Sequence, residues 1–255
     1  MNNKSKEYIR NPTFYWEPIT FLVRVLTEIH RLSRGRRVPH QVEGQLFKVN
    51  RHMFEFSSDV FSTMFSLPQG ESIVVDGSDD EHPLVLQGIE SMEFENLLKA
   101  IVHAREPTTV LTQDEWLSAL KLATMWGMPD VRRMAITEIT QLRSMEDIDK
   151  VVLGREYAVV NWVISGYMGL TSRSGAVSID DVSRLTLPTC LQLLEVQVSY
   201  LDTRLRRARA RSLNAVGASD SLASLLAPLF NSELTEIRER GLLYGDEVQA
   251  LVWTT

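Results

Sequence analysis

The sequence predicts an α+β fold in which a small β-sheet has helices clustered against it and an all-helical C-terminal region follows. Three short segments rich in aromatic and β-branched residues, the pattern of strands, all occur before residue 90. From Ser91 onward apolar residues recur every three or four positions, which is typical of helices with one buried face. The chain has 255 residues, of which 44% are hydrophobic and 24% charged, so disordered and low-complexity classes are excluded.

The predicted strands cover residues 14–23, 45–49 and 83–88. Pro18 places the first strand near a sheet edge, because proline cannot donate a hydrogen bond to a neighbouring strand. Two short helices are predicted between the second and third strands, because apolar residues recur there at near-helical spacing. These residues are Phe54, Val60, Phe61, Met64 and Phe65. The sheet is therefore small and has helices inserted within it.

Helix follows helix after residue 90. Residues 91–103 place their apolar side chains on one stripe, and Thr112 with Glu115 forms the signature of a capping box at the start of the next helix. Gly127 ends that helix, and residues 128–142 continue with a further amphipathic pattern. Two helices joined by so tight a turn are expected to pack antiparallel.

Six segments carry a resemblance to a known family; they are FYWE (14–17), LFKVNRHMF (46–54), SSDVFSTMFSLPQ (57–69), GSDDEHPLVLQGI (77–89), FENLL (94–98) and EWLSALKLATMWGMPDVRRMAI (115–136). Their order and spacing resemble the BTB/POZ domain in the form common in basidiomycete fungi. The resemblance covers residues 14–142, with an N-terminal extension at 1–13 and a helical region at 143–255.

The resemblance implies a non-enzymatic protein-interaction module that forms homodimers and binds a protein partner. One role in the family is an adaptor for a cullin ubiquitin ligase. The alternative is a transcriptional regulator, which would oligomerise through the BTB domain and use a basic helix at 204–211 for nuclear import or nucleic-acid contact. The sequence leaves the nucleus and the cytoplasm both open.

The chain departs from the family pattern in two places. Many BTB domains line a peptide-binding groove with an aspartate in the first strand and a histidine or lysine after the second. The corresponding positions here are Pro18, and Asn50 with Arg51. Residues 24–42 interrupt what would otherwise run as one hairpin, FLV followed by EGQLFKV, so we expect a segment outside the folded core, of the kind that a retained short intron produces. The alternative is an ordinary surface insertion that forms a helix over residues 22–32.

The sequence gives little support for an enzyme, a metal-binding protein or a membrane protein. The single cysteine, Cys190, lies in an apolar helical context that is typical of core packing, and the five histidines have no zinc-ligand spacing. The acidic run ending at His82 is flanked by Gly77 and Pro83, which indicates a solvated turn. No apolar run is long enough for a membrane span or a secretory signal, so we expect an intracellular protein without cofactor or metal.

Charge is distributed unevenly along the chain. Residues 43–150 contain 19 acidic and 9 basic side chains, a net charge of −10, whereas the whole chain has −6. Such an acidic block disfavours nucleic acid. The exception is a basic cluster at the end of an amphipathic helix. The apolar side of this helix includes Leu191, Val198 and Leu205. The basic cluster consists of Arg204, Arg206, Arg207, Arg209 and Arg211. A solvated helix end, an import signal and nucleic-acid contact are its three interpretations.

Two surfaces are predicted for binding. Residues 8–23 are expected at the homodimer interface, because a small sheet leaves open edges. Partner contacts are expected from charged positions of the helix at 128–142, which we interpret as exposed; the candidates are Arg132 and Arg133. Apolar anchors would supply binding energy, and the candidates for these are Met125, Met128 and Phe65. Plain core packing is the alternative for the three anchors.

Overall fold

The computed structural model describes residues 9–15, 21–27, 43–67, 77, 82–104, 110–173, 178–212 and 221–247, with the first two strands described by their backbone. The strands are β1 (Ile9–Tyr15), β2 (Phe21–Thr27), β3 (Glu43–Val49) and β4 (Leu84–Leu86). The helices of the first half are α1 (Arg51–Ser57), α2 (Asp59–Ser66), α3 (Ser91–His103), α4 (Gln113–Met125) and α5 (Pro129–Leu142). Those of the second half are α6 (Asp147–Glu156), α7 (Val160–Ser172), α8 (Ile179–Arg184), α9 (Leu187–Ser212) and α10 (Leu222–Leu243).

The four described strands form one mixed sheet in the order β1-β3-β2-β4. Strand β3 is central: it pairs parallel with β1 and antiparallel with β2, and β4 adds to β2 in parallel. Leu46, Phe47 and Val49 of β3 are all buried, as expected for a strand covered on both faces. The predicted α+β class, with helices gathered on a small sheet and a helical C-terminal region, is confirmed.

The helices of the first half begin and end where local sequence signals place them. Thr112 and Glu115 form the predicted capping box at the start of α4. Gly127 follows α4 with a φ of 59°, a left-handed conformation that glycine adopts without strain. Helices α3 and α4 pack on each other, and their inner faces meet the aromatic side chains of β3, α1 and α2.

The chain divides into two compact units, Met1–Gln141 and Leu142–Thr255, which we describe separately. The boundary expected from the sequence comes after residue 142. In the second unit α6 and α7 form the closest helix pair, and α9 and α10 each pack on α7. Its core is apolar and includes Val163, Tyr167, Leu193 and Phe230. Tyr167 and Phe230 stack with ring centroids 4.2 Å apart.

Two sequence predictions about the N-terminal strands are wrong. The single strand expected at 14–23 is two strands, β1 and β2, separated by residues outside the described part of the chain. The insertion expected at 24–42 cannot begin at residue 24, because residues 24–27 belong to β2, where Arg24 pairs with Leu46 and Thr27 with Glu43. The β-branched residues Val25 and Thr27 suit a strand, and residues 28–42 lie outside the described residues.

Candidate protein-interaction surface

A single serine determines how α1, α2 and the end of α4 come together. The backbone of Ser58 is extended, which ends α1, and its Oγ accepts a hydrogen bond from the Phe61 N–H, which caps α2. The same hydroxyl donates to the Trp126 carbonyl oxygen at the end of α4. Ser58 is buried, so this corner of three helices is held by hydrogen bonds that water does not reach.

An aromatic cluster lies beneath the corner. Phe61 makes edge-to-face contacts with Phe54 at 4.9 Å and with Trp126 at 5.2 Å. Phe94 of α3 lies 5.9 Å from Trp126 and 4.9 Å from Phe47 of the central strand. Close packing of these rings fixes how α1, α2, α3 and the end of α4 lie against one another.

Three apolar side chains project from this corner into solvent; they are Phe56, Val60 and Met125, which we call the corner patch. Phe56 is 87% exposed, and Val60 and Met125 are about half exposed. Each lies within two residues of Ser58 or Trp126, the pair joined by the hydrogen bond. Exposed phenylalanine on a protein surface is typical of protein-binding sites, because aromatic and methionine side chains supply much of the binding energy there.

Asn50 and Arg51, the groove positions expected from the resemblance, have roles within the fold. The Asn50 side chain accepts a hydrogen bond from the His52 N–H at 2.9 Å and caps α1. Arg51 Nε pairs with Glu55 Oε1 at 2.6 Å, and its guanidinium lies 4.6 Å from the Phe65 ring centre. Phe65 is therefore half-buried beneath a cation, and Pro18 lies outside the described residues.

The positions predicted on α5 are only partly exposed. Arg133 is exposed and pairs with Asp130 at 3.3 Å, but Arg132 is fully buried, so its prediction as a surface residue is wrong. The Arg132 Nη1 donates to Thr124 Oγ1 of α4 at 2.8 Å. Met128 is buried and Phe65 is half-buried, which leaves Met125, about half exposed, as the most exposed of the three predicted anchors. Residues 132, 135 and 139 follow helical spacing along the inner face of α5, which explains the burial of Arg132.

The second unit contains a hydrogen-bond network that the sequence did not reveal. Arg155 of α6 contacts Glu233 of α10 at 2.6 Å, Tyr167 of α7 at 2.8 Å and Thr189 of α9 at 2.9 Å. Tyr167 in turn donates to Glu233 at 2.7 Å. Burial, and then the nearby Glu233 carboxylate, raise the pKa of Tyr167, so the phenol stays protonated as a donor. One network thus joins four helices, which is a structural role.

The described residues offer little for catalysis. Cys190 is buried, and that burial, followed by the charge of Asp181, raises the pKa of its thiol, which weakens it as a nucleophile. Among the described side chains, no group of three or more histidine, cysteine, aspartate or glutamate residues is placed to hold a metal ion. No helix of the described ranges is long and apolar enough to cross a membrane.

The basic cluster lies at the C-terminal end of α9. Arg204, Arg206 and Arg209 are exposed, whereas the side chains of Arg207 and Arg211 lie outside what the structure describes. Arg206 Nε pairs with Asp202 at 2.7 Å, and Arg204 lies 5.8 Å from the Tyr200 ring centre. Cations at this end of a helix are favoured by the helix dipole.

The first unit is thus a small mixed sheet covered by paired helices, with apolar side chains exposed where α1, α2 and α4 meet. The family model of the BTB/POZ domain matches residues 38–142. The chain therefore contains a BTB/POZ domain over these residues, and BTB/POZ domains are generally protein-interaction modules rather than enzymes. No curated protein matches the chain.

Proposed function

We propose that the chain is a homodimeric BTB protein of the fungal type that presents the corner patch to a protein partner, as an adaptor for a cullin ubiquitin ligase. The observation that carries the proposal is the exposure of Phe56, Val60 and Met125 on the junction of α1, α2 and α4. These side chains belong to the BTB domain itself. Their burial against a partner would release apolar surface from water at about 25 cal/mol per Å².

Arg133 extends the proposed surface. It is exposed on α5, one residue from Arg132, which contacts α4 next to Met125. A charge in this position orients a partner and accelerates encounter, whereas the apolar anchors supply affinity. In this proposal Arg133 is a rim residue and the corner patch is the centre of the surface.

Binding of purified cullin to the full chain tests the proposal. Met125→Asp should weaken binding at least about tenfold, because hot-spot residues commonly contribute 2 kcal/mol or more. Met92→Asp is a matched control, since Met92 is 61% exposed on α3 of the same unit. Equal weakening by both substitutions, or no binding by the wild-type chain, would overturn the adaptor role.

A transcriptional role is the second candidate, and the exposure of Arg204, Arg206 and Arg209 favours it. Replacement of all three by glutamate should then reduce nuclear accumulation and retention on a DNA column. Import without DNA retention would indicate a localisation signal. Unchanged behaviour in both assays would leave the cluster as a solvated helix end.

A further inference from the structure

Helix α9 has two apolar faces. One face packs within the second unit and contains the buried residues Cys190, Leu193 and Val196, with Gln197 donating to the Arg173 carbonyl oxygen at 3.1 Å. The second face, which we call the seam, is formed by Leu187, Leu191, Leu194, Val198, Leu201 and Leu205. Leu194 is half-buried, and the other five are 50–65% exposed.

The seam has the spacing of a coiled coil. Leu187, Leu194 and Leu201 are seven residues apart, and so are Leu191, Val198 and Leu205, so that the steps along the helix alternate between four and three. This is the repeat with which one helix packs against another through interlocking side chains. A stripe this narrow suits a partner helix, whereas a helix lying on a membrane generally presents a broader apolar face.

The size of the seam indicates that something covers it. Six aliphatic side chains lie on one stripe over 19 residues, and five of them are at least half exposed. Exposed apolar patches larger than about a few hundred Å² on a soluble protein mark interaction sites. The inner face already anchors α9 to the second unit, so the seam is not needed for its folding. Burial of the seam would therefore contribute to association.

Charge along the seam distinguishes between occupants. Residues 201–212 contain five arginines and a single acid, Asp202, which already pairs with Arg206. A parallel second copy would bring two such basic ends together. An antiparallel second copy would place each basic end beside residues 187–200, where Glu195 is the one acid. Neither arrangement neutralises the arginines.

We propose that the seam binds an amphipathic helix of another protein, with leucine-type residues in heptad spacing and acidic residues flanking the part that faces Leu201 and Leu205. Carboxylates beside the seam would meet Arg204 on one flank and Arg209 on the other. Such flanking pairs determine which partner and which orientation a coiled coil accepts.

The probe is a synthetic four-heptad peptide with leucine at the two core positions and glutamate at the two flanking positions. The same peptide with lysine at the flanking positions is its matched control. Titration into the full chain at low salt should give at least about tenfold tighter binding of the glutamate peptide, and the preference should shrink as salt rises.

Two sets of variants locate the site. Val198→Asp should abolish binding of the glutamate peptide, while Leu243→Asp, at a side chain 83% exposed on α10, should not. Both positions are exposed, so both variants should keep the wild-type melting temperature. Replacement of Arg204, Arg206 and Arg209 by glutamate should reverse the preference in favour of the lysine peptide.

Three results would overturn the proposal. The first is equal binding of the two peptides, or none. The second is binding to vesicles containing anionic lipid that Val198→Asp removes, without a peptide preference. The third is a dimer that Val198→Asp dissociates, because the second copy would then occupy the seam.

Discussion

Arg132 joins α4 and α5 from within the first unit. Its guanidinium is fully buried and donates to Thr124 at 2.8 Å. The residue shows what spacing can and cannot reveal: Arg132 shares the inner face of α5 with Ala135 and Ile139, but a positive charge in the sequence suggests exposure. Long side chains can occupy a buried position when a partner satisfies the charged end, and a sequence does not show that partner.

Charge reversal separates Arg132 from its neighbour. Arg132→Glu should lower the free energy of unfolding by about 3 kcal/mol or more, because it buries a carboxylate beside a hydroxyl in place of a donor. Arg133→Glu should cost within about 0.5 kcal/mol, since Arg133 is exposed. Urea denaturation of both variants measures the difference, and similar midpoints would contradict the burial of Arg132.

Glu115 makes stability depend on pH. The Thr112 N–H donates to one oxygen of the Glu115 carboxylate at 2.9 Å, and Lys99 Nζ donates to the other at 2.9 Å. The backbone hydrogen bond from Thr112 is the main cause that lowers the pKa of Glu115, and the contact with Lys99 lowers it further. A carboxyl whose pKa is lower when folded stabilises the protein above its unfolded pKa of about 4.3, and loses this effect as the pH falls through the folded pKa.

Glu115→Gln should therefore be less stable than the wild type at pH 7, and the difference should shrink below about pH 4. Urea midpoints at several pH values provide the measurement. Glu156→Gln, at an exposed position of α6, is the control and should shift little at any pH. A Glu115→Gln deficit that is constant with pH would show that the carboxylate charge is not the cause.

At the scale of elements, helices were easier to predict than strands. The capping box and apolar spacing of α4 are contained in 15 residues, 112–126, so the local sequence is sufficient. Strands β1 and β2 both pair with β3, at residues that lie far along the chain, and their boundaries depend on that pairing. Strand boundaries therefore depend on distant residues, whereas the boundaries of α4 depend on local ones.

The seam illustrates the same limit for a single helix. The sequence identifies Leu191, Val198 and Leu205 as an apolar side of α9 and places Cys190 in a context typical of core packing. The structure packs α9 through Cys190, Leu193 and Val196 and leaves the Leu191 side exposed. Periodicity identifies an apolar face, but which of two faces meets the rest of the unit depends on the neighbouring helices.

Close approach of α6 and α7 depends on glycine. A Cβ at Gly166 would lie 2.6 Å from the Asp147 carbonyl oxygen and 2.6 Å from Val151 Cγ2. Gly166→Ala should therefore destabilise the protein by about 1–3 kcal/mol through overpacking, although alanine favours a helix by about 1 kcal/mol over glycine. Ser165→Ala, at the exposed neighbouring position, is the control. Thermal unfolding compares them, and a stabilised Gly166→Ala variant would refute the tight approach.

At the scale of the whole molecule, we expect a homodimer. Strands β1 and β4 form the two edges of the described sheet, and exposed strand edges invite pairing or cover. Sedimentation at tens of micromolar should give about twice the 29.0 kDa mass of the chain. The Val198→Asp variant should remain dimeric, since the seam is proposed for a different partner. A clean monomer would count against the dimer.

The order β1-β3-β2-β4 also has a consequence for synthesis of the chain. The hairpin of β2 and β3 is complete at residue 49, but β4, which covers the free edge of β2, is not made until residues 84–86. Until then a growing chain that has folded this hairpin presents an open strand to every other nascent copy on the same messenger. At about 5–20 residues per second this interval lasts seconds, long enough for chaperones or a neighbouring polysome product to meet that edge first.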